Sequence, residues 1–141
     1  KELALSDNVS INIPNGSYTF SNDISGNAGV IKDGAGDLIL SGNSTFTGDT
    51  TVNNGRLQVN GVYASSINVR RQAILSTNSA IIKNNIKNLA IAYINNAAIK
   101  FGTNTIYIIK NMSIRISGNS SISKKFSFFK YLIIKIPLFY Y

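Results

Sequence analysis

Glycines recur at an almost regular interval in the first half of the chain, and this interval restricts the possible folds more than any other feature. Apart from Gly34, neighbouring glycines between residues 29 and 61 lie six or seven residues apart. Every third glycine repeats one longer interval, from Gly29 to Gly48, from Gly36 to Gly55 and from Gly42 to Gly61. Short strands joined by tight turns produce such a spacing, because glycine adopts backbone conformations that other residues avoid.

Apolar residues between these glycines repeat with the same longer interval. It separates Leu38 from Leu57, and it also separates Leu40 from Val59. Three strands of about five residues per coil account for this period, and equivalent side chains then stack from one coil to the next. A β-meander or a small β-sandwich would also place glycine turns every few residues. The period favours an all-β parallel solenoid, in which no coil buries its apolar face alone.

Two sets of residues define the predicted solenoid. The inward rows are predicted to contain Leu38, Leu40, Val52, Leu57 and Val59. The corners are predicted at Gly36, Gly42, Gly48, Gly55 and Gly61. We expect positive φ angles to explain the corner glycines.

Residues 34–59 read GAGDLILSGNSTFTGDTTVNNGRLQV. This segment resembles the passenger-associated repeat of bacterial autotransporters, in which G-x-G-x-L-x-L-x-G precedes an aromatic residue and a T-x-V-x-x-G-x-L segment. Phe46, Thr50 and Val52 occupy the aromatic, threonine and valine positions, so that the match covers about residues 30–61. Two positions differ from the family pattern, where Ser44 replaces an asparagine and Asp49 replaces a glycine.

The resemblance implies a right-handed parallel β-helix in a passenger that is secreted or displayed on the bacterial cell surface or outer membrane. Its function would be structural: a stalk that supports passenger folding and export, with adhesion to host or neighbouring cells as a further role. Its partner would be a β-barrel translocator, encoded in the same or a neighbouring reading frame. Two alternatives stay open, a fragment of a solenoid enzyme whose active site lies elsewhere, and a basic membrane-binding or nucleic-acid-binding protein.

The composition changes abruptly near residue 70. Residues 1–69 contain three cations and all six acids, whereas residues 70–141 contain eleven cations and no acid. We therefore divide the chain into a solenoid region, 1–69, and a basic Ile/Asn/Lys-rich extension, 70–141, that is degenerate and either β-prone or poorly ordered. A decayed or frameshifted AT-rich gene would explain this change, and nucleotide sequencing tests it. Residues 81–99 are compatible with a helix, but their Ile and Asn content favours strands.

The sequence offers few groups for catalysis or metal binding. It has no His and no Cys, which excludes thiolate zinc sites and Cys or His nucleophile systems. Asp33 and Asp37 flank a Gly-Ala-Gly segment, but without a repeating calcium motif they are better explained as turn residues. A dinucleotide fingerprint fails because Ile39 occupies the position of its third glycine. We therefore predict no catalytic residue, no cofactor and no metal, and hence no enzyme.

The basic extension does not resemble a nucleic-acid-binding domain, because its cations are scattered and no RNP-type motif occurs. We predict no nucleic-acid partner.

The most apolar window, 126–141, is interrupted by two lysines and a proline and is shorter than the roughly 20 residues of a spanning helix. A buried or aggregation-prone β segment is favoured there, and contact with a membrane is left open. Residues 1–9 lack the apolar core of a secretory signal, so any such signal would lie outside this sequence.

Overall fold

A computed structural model describes residues 1–87, 91–100, 105–115 and 133–137, and these residues form strands without any helix. Most strands are short, and glycine-containing turns separate many of them. The strands are β1 (Leu3–Leu5), β2 (Val9–Asn12), β3 (Ser17–Phe20), β4 (Ile24–Gly26), β5 (Val30–Asp33), β6 (Asp37–Leu40), β7 (Thr50–Val52), β8 (Arg56–Val59), β9 (Val62–Tyr63), β10 (Ile67–Val69), β11 (Ile74–Ile82), β12 (Ile86–Lys87), β13 (Ile91–Lys100), β14 (Thr105–Arg115) and β15 (Ile133–Pro137).

The chain from β2 to β13 winds as a parallel β-solenoid of about five turns. One side is the sheet β12-β10-β7-β5-β2, and a second side continues through β13-β11-β8-β6-β3. The third side is shorter, with β1 on β4 followed by bridges that join Ile24 to Ser44 and Ser44 to Tyr63. Because the neighbouring strands in these coils pair in parallel, the meander and sandwich alternatives are excluded and the predicted fold class is confirmed.

The length of a coil varies around the predicted period. The coil that separates β6 from β8 has the predicted length, whereas the coil from β2 to β5 is slightly longer and the coil from β7 to β10 is slightly shorter. Corners of different length absorb these changes, so that inward positions stay aligned from one coil to the next. The paired residues are Leu38 with Leu57, Leu40 with Val59, Val9 with Val30, and Thr50 with Ile67.

The hydrophobic core continues across the compositional change near residue 70. Leu38, Leu57, Leu75 and Ala92 occupy successive levels of one inward row, and each has an exposed fraction of 0%. The buried cluster as a whole extends from Leu5 to Ile99. The β11 strand pairs with β8 on one side and β13 on the other, so the sheet itself crosses this boundary.

The parallel winding ends after β13. Strand β14 pairs antiparallel with β13, and β15 pairs antiparallel with β14. Within 81–99 the described residues belong to strands β11, β12 and β13 or to the turn at 83–85, and none of them is helical, which excludes the helical alternative. Strand β14 is continuous from Thr105 to Arg115, and residue 116 lies outside the described residues. Most of the apolar window 126–141 also lies outside them.

Positive φ angles do not explain most corner glycines. Among the five predicted corner glycines only Gly55 has a positive φ, of 67°. At Gly42 a Cβ atom would collide with the backbone of Asn22, and at Gly48 it would collide with Ala28. The expected reason was therefore wrong at four of the five corners, where the close approach of the preceding coil leaves no room for a side chain.

Candidate functional site

The structure places the predicted non-glycine residues inside the solenoid, where they pack as a scaffold. None of them has an exposed fraction above 2%. These residues are Leu38, Leu40, Phe46, Thr50, Val52, Leu57 and Val59. The structure therefore assembles them into a continuous interior and does not gather them around a surface cleft.

A polar cluster lies inside this apolar interior. The Thr50 hydroxyl is 2.6 Å from the Tyr63 hydroxyl and 2.9 Å from the Ser65 hydroxyl, and Ser65 Oγ is 2.6 Å from the Gly48 carbonyl oxygen. The Phe46 ring meets the Tyr63 ring edge to face, with centroids 5.5 Å apart. The hydroxyl groups therefore satisfy one another while the rings fill the core.

Burial raises the pKa of Tyr63 well above its ordinary value of 10.0, and the hydrogen bond with Thr50 opposes part of this shift. The phenol is therefore neutral at physiological pH and serves as a structural hydrogen-bonding group. Sequence reasoning identified Thr50 but missed Tyr63 and Ser65. The interval from the bridging Ser44 to Tyr63 equals that from Leu38 to Leu57, and this repeat is the signal that could have placed Tyr63 inside.

Lys32 is the second group that sequence reasoning missed. Its side chain lies in an inward row opposite Val52 and has an exposed fraction of 0%. Its Nζ donates to three main-chain carbonyl oxygens, those of Asp33 at 2.8 Å, Gly34 at 2.8 Å and Asn54 at 3.1 Å. Three donated hydrogen bonds require the ammonium form, since a neutral amine has only two hydrogens.

The Lys32 ammonium ties together two successive corners of the solenoid, one at residues 33–34 and the other at Asn54. Burial lowers the pKa of Lys32, and the carboxylates of Asp37 and Asp33 oppose this shift. The alternation of strand β5, in which Val30 and Lys32 face the same side, is the sequence signal for its inward position.

The outer face of the second sheet carries isolated polar contacts. The Arg56 side chain lies 4.0 Å from an Asp37 carboxylate oxygen, and its guanidinium carbon is 5.7 Å from the centroid of the Tyr93 ring. Between the paired strands β11 and β13, the Asn95 side-chain amide donates to Asn78 Oδ1 at 3.2 Å. These contacts link different coils, and they do not combine an acid, a base and a nucleophile.

The two carboxylates considered for calcium have other partners. Asp33 accepts hydrogen bonds from Asn53 at 2.9 Å and from Ser10 at 3.3 Å, whereas Asp37 lies beside Arg56. Within the described part of the chain, no three acidic residues come together as a set that could bind a metal. In the same residues no helix has the length and apolar character needed to cross a membrane.

Comparison with known proteins gives a consistent result. The profile of the family Passenger-associated-transport-repeat matches residues 30–59. The "Extracellular serine protease" of Serratia marcescens is 47% identical over 58 residues, which are 41% of this chain and 6% of that protein. The "Neisserial autotransporter lipoprotein NalP" of Neisseria meningitidis serogroup B is 34% identical over 91 residues, 64% of this chain and 8% of that protein. No solved structure matches significantly.

The family match coincides with the most regular part of the solenoid. Residues 30–59 are strands β5 to β8, which include the aligned leucine rows and the interior Thr50. The chain spans less than a tenth of the length of these curated relatives. Residues 30–59 therefore match the passenger-associated transport repeat within a parallel β-solenoid, and the comparisons support the resemblance to autotransporter passengers.

Proposed function

We propose that this segment is a stalk at the bacterial cell surface, and that its stacked coils support the folding and export of the passenger. The observation that carries the proposal is the inward row from Leu38 to Ala92, which is buried at every level. Strands β5 to β8 pair with an earlier coil on one side and a later coil on the other. The family repeat therefore lies in the middle of the stack, where coils before it and after it in the chain can both stack on it.

This role follows from the energetics of a solenoid. A single coil buries little apolar surface by itself, but it completes a core when it stacks on a folded neighbour. A chain that emerges on the outer surface of the cell can then fold one coil at a time. The partner in this proposal is a β-barrel translocator, and the outward faces of the stalk are available for adhesion to host or neighbouring cells.

Two deletions in the full-length protein test this proposal. Removal of residues 30–49 takes out one complete coil, because Val30 pairs directly with Thr50 in the next coil. Removal of residues 30–40 takes out only two of its strands and leaves the inward rows out of register. Surface display is measured with an antibody against the passenger, and folding is measured by resistance to an external protease.

We expect the complete-coil deletion to retain most of the display, and the partial deletion to lose most of it. The complete-coil deletion is the matched control, because it removes more residues but preserves stacking. Equal loss in the two variants would contradict a role that depends on coil continuity, and normal display of the partial deletion would do so as well.

A second candidate is a passenger enzyme for which this segment is only the scaffold. The printed name of the Serratia marcescens relative, an extracellular serine protease, favours it. The described residues contribute no catalytic constellation, so the active site in this alternative lies outside the segment. Casein hydrolysis by the full-length protein, with and without the complete-coil deletion, distinguishes the two. A basic membrane-binding or nucleic-acid-binding role for residues 70–141 stays the other open alternative, which co-sedimentation with lipid or RNA at low and high salt checks.

A further inference from the structure

The chain contains three Asn-Gly dipeptides, at residues 15–16, 54–55 and 60–61. In this dipeptide the glycine nitrogen can attack the asparagine side-chain amide with little steric obstruction, because glycine has no Cβ. The reaction releases ammonia and leaves a cyclic imide, which water opens to aspartate or isoaspartate. The three sites share the reacting pair and differ in their flanking residues, so the effect of the folded structure is isolated by comparing their relative rates in the folded and in the unfolded chain.

The Asn54 site brings the reacting groups together. The Gly55 N–H donates to Asn54 Oδ1, with the nitrogen 2.8 Å from the oxygen. Asn54 is exposed to solvent, and Gly55 has a φ of 67° in the corner between β7 and β8. The nucleophilic nitrogen and the amide that it attacks are therefore already neighbours, with water available for the hydrolytic step.

The other two sites lack this arrangement. The Asn60 side-chain oxygen accepts a hydrogen bond from Gln58 Nε2 at 3.0 Å, which directs it toward another partner. Gly16 has a positive φ of 69°, but among the described residues no hydrogen bond joins the Asn15 side chain to the Gly16 N–H. The Asn84 side chain does accept from the next N–H, at 2.8 Å, but the following residue is Asn85 and not glycine.

Lys32 adds an electrostatic contribution that is specific to Asn54. Its ammonium donates to the Asn54 carbonyl oxygen at 3.1 Å, and that oxygen belongs to the peptide group whose nitrogen must lose its proton before it attacks. The negative charge of the deprotonated peptide is shared between nitrogen and oxygen, because the peptide bond is delocalised. A buried cation on that oxygen stabilises this charge more strongly than water does.

We propose that Asn54 is a site of spontaneous deamidation in the folded protein, promoted by the Lys32 ammonium. The Gly55 nitrogen gives its proton to solvent hydroxide and forms a bond with Cγ of Asn54. The bond from Cγ to Nδ2 then breaks, and ammonia leaves after taking a proton from water. Water then adds to one of the two imide carbonyls, and the bond from that carbon to the Gly55 nitrogen breaks as the nitrogen takes up a proton. Cleavage at Cγ gives aspartate, and cleavage at the main-chain carbonyl gives isoaspartate. The net change is the uptake of water and the loss of ammonia.

The isoaspartate product inserts a methylene group into the main chain at the corner. The former main-chain carbonyl of Asn54 becomes a carboxylate on a side branch, so the group that the Lys32 ammonium binds no longer belongs to the main chain of this corner, whereas the same ammonium still binds the Asp33 and Gly34 carbonyls of the neighbouring corner. The modification therefore weakens a contact between two coils, and we expect the modified fraction to unfold at a lower urea concentration than the unmodified fraction.

The three dipeptides of the wild-type chain give a test with internal controls. The full chain is incubated at mildly alkaline pH, once folded and once in unfolding urea. Peptide mass spectrometry then measures conversion of each amide into a carboxylate, with fragmentation to recognise isoaspartate. In the folded chain we expect Asn54 to react about tenfold faster than Asn15 and Asn60, the factor given by one charged hydrogen bond. In urea we expect similar rates at the three sites.

Substitution Lys32→Met removes the ammonium and keeps an unbranched apolar side chain that is one atom shorter. In folded Lys32→Met protein we expect the Asn54 rate to fall several-fold toward that of Asn15, while the Asn15 rate stays unchanged. An unchanged ratio of the two rates would show that Lys32 has no part in the reaction. If Lys32→Met does not fold, the wild-type comparison decides alone, and a folded wild-type chain in which Asn54 reacts no faster than Asn15 overturns the proposal.

Discussion

The coils before and after residue 70 share one architecture but differ in chemistry. The earlier coils contain close-packed glycine corners and a polar interior with Lys32, Thr50 and Tyr63. The later coils continue the inward row with Leu75 and Ala92 and contain no glycine before residue 102. Strand β11 nevertheless pairs with β8 in parallel and in register. The comparison shows that the aligned inward row maintains the solenoid, whereas the glycine interval reflects how closely the corners approach one another.

The corner itself changes between the two regions. In the earlier coil, β8 and β9 are separate strands with Asn60 and Gly61 between them. In the next coil the single strand β11 pairs with both of them and passes this corner at Ser79, which has a φ of 60°. A non-glycine residue at this φ costs about 1–2 kcal/mol. The later coils therefore use a different, strained solution for the same turn.

The largest expected effect tests whether the two regions form one core. Substitutions Leu57→Asp and Leu75→Asp each place an unpaired carboxylate at a fully buried position of the same row. We expect each to lower the free energy of unfolding by about 3–5 kcal/mol, measured by urea denaturation. Gln58→Asp, on the outward face of β8, is the control and should change it by less than about 1 kcal/mol. If Leu75→Asp left the free energy of unfolding unchanged, the later coils would not share a cooperative core with the earlier ones.

The sequence predicted the rows that this experiment perturbs, but only in part. The pairing of Leu38 with Leu57 was predictable, because apolar residues and glycines repeat together there. The inward positions of Lys32 and Tyr63 were missed, since a lysine or tyrosine in a strand is usually assigned to the outward face. Beyond residue 80 most alternate positions on both faces are apolar, so alternation could not separate inside from outside.

The composition also suggested a break that the sheets do not show. An abrupt frameshift near residue 70 would replace inward residues without regard to the preceding coils. Instead Leu75 lies directly on Leu57, and Ala92 lies directly on Leu75. The continued register favours gradual change in an unshifted frame, and it explains how a chain without acids or corner glycines in this region keeps the same coil.

A smaller effect is expected where the earlier corners are tightest. Substitution Gly42→Ala should cost about 1–3 kcal/mol, because a Cβ atom there would meet the backbone of the preceding coil, which cannot move aside without disturbing its own strands. Gly16→Ala is the matched control, since a Cβ at Gly16 has no neighbour within 4 Å and only its positive φ opposes the change. Urea denaturation compares the two. A larger cost at Gly16 would show that backbone conformation limits the corners more than space does.

The polar interior of the earlier coils should give a distinct dependence on pH. The pKa of Tyr63 is raised by burial, so the folded state keeps a proton that the unfolded state loses above its ordinary pKa of 10.0. Titration of this group should therefore leave the free energy of unfolding independent of pH near neutrality. Above about pH 10 the free energy of unfolding should decrease, by at most about 1.4 kcal/mol per pH unit. Tyr63→Phe should lose this decrease and cost about 1 kcal/mol at neutral pH. Tyr18→Phe, at an exposed position, should retain it. An identical alkaline profile for Tyr63→Phe would assign the pH dependence to other groups.

The smallest expected effect concerns the corner that lacks glycine. Substitution Ser79→Gly removes the steric cost of a left-handed residue but increases the conformational entropy of the unfolded chain, so the two terms partly cancel. We expect a net stabilisation below about 1 kcal/mol, measured as an increase in the urea midpoint. Ser79→Ala is the control, because it keeps the Cβ and removes only the hydroxyl. If Ser79→Ala stabilises the protein as much as Ser79→Gly, the strain at this corner is not conformational, and the later coils would differ from the earlier ones only in side-chain chemistry.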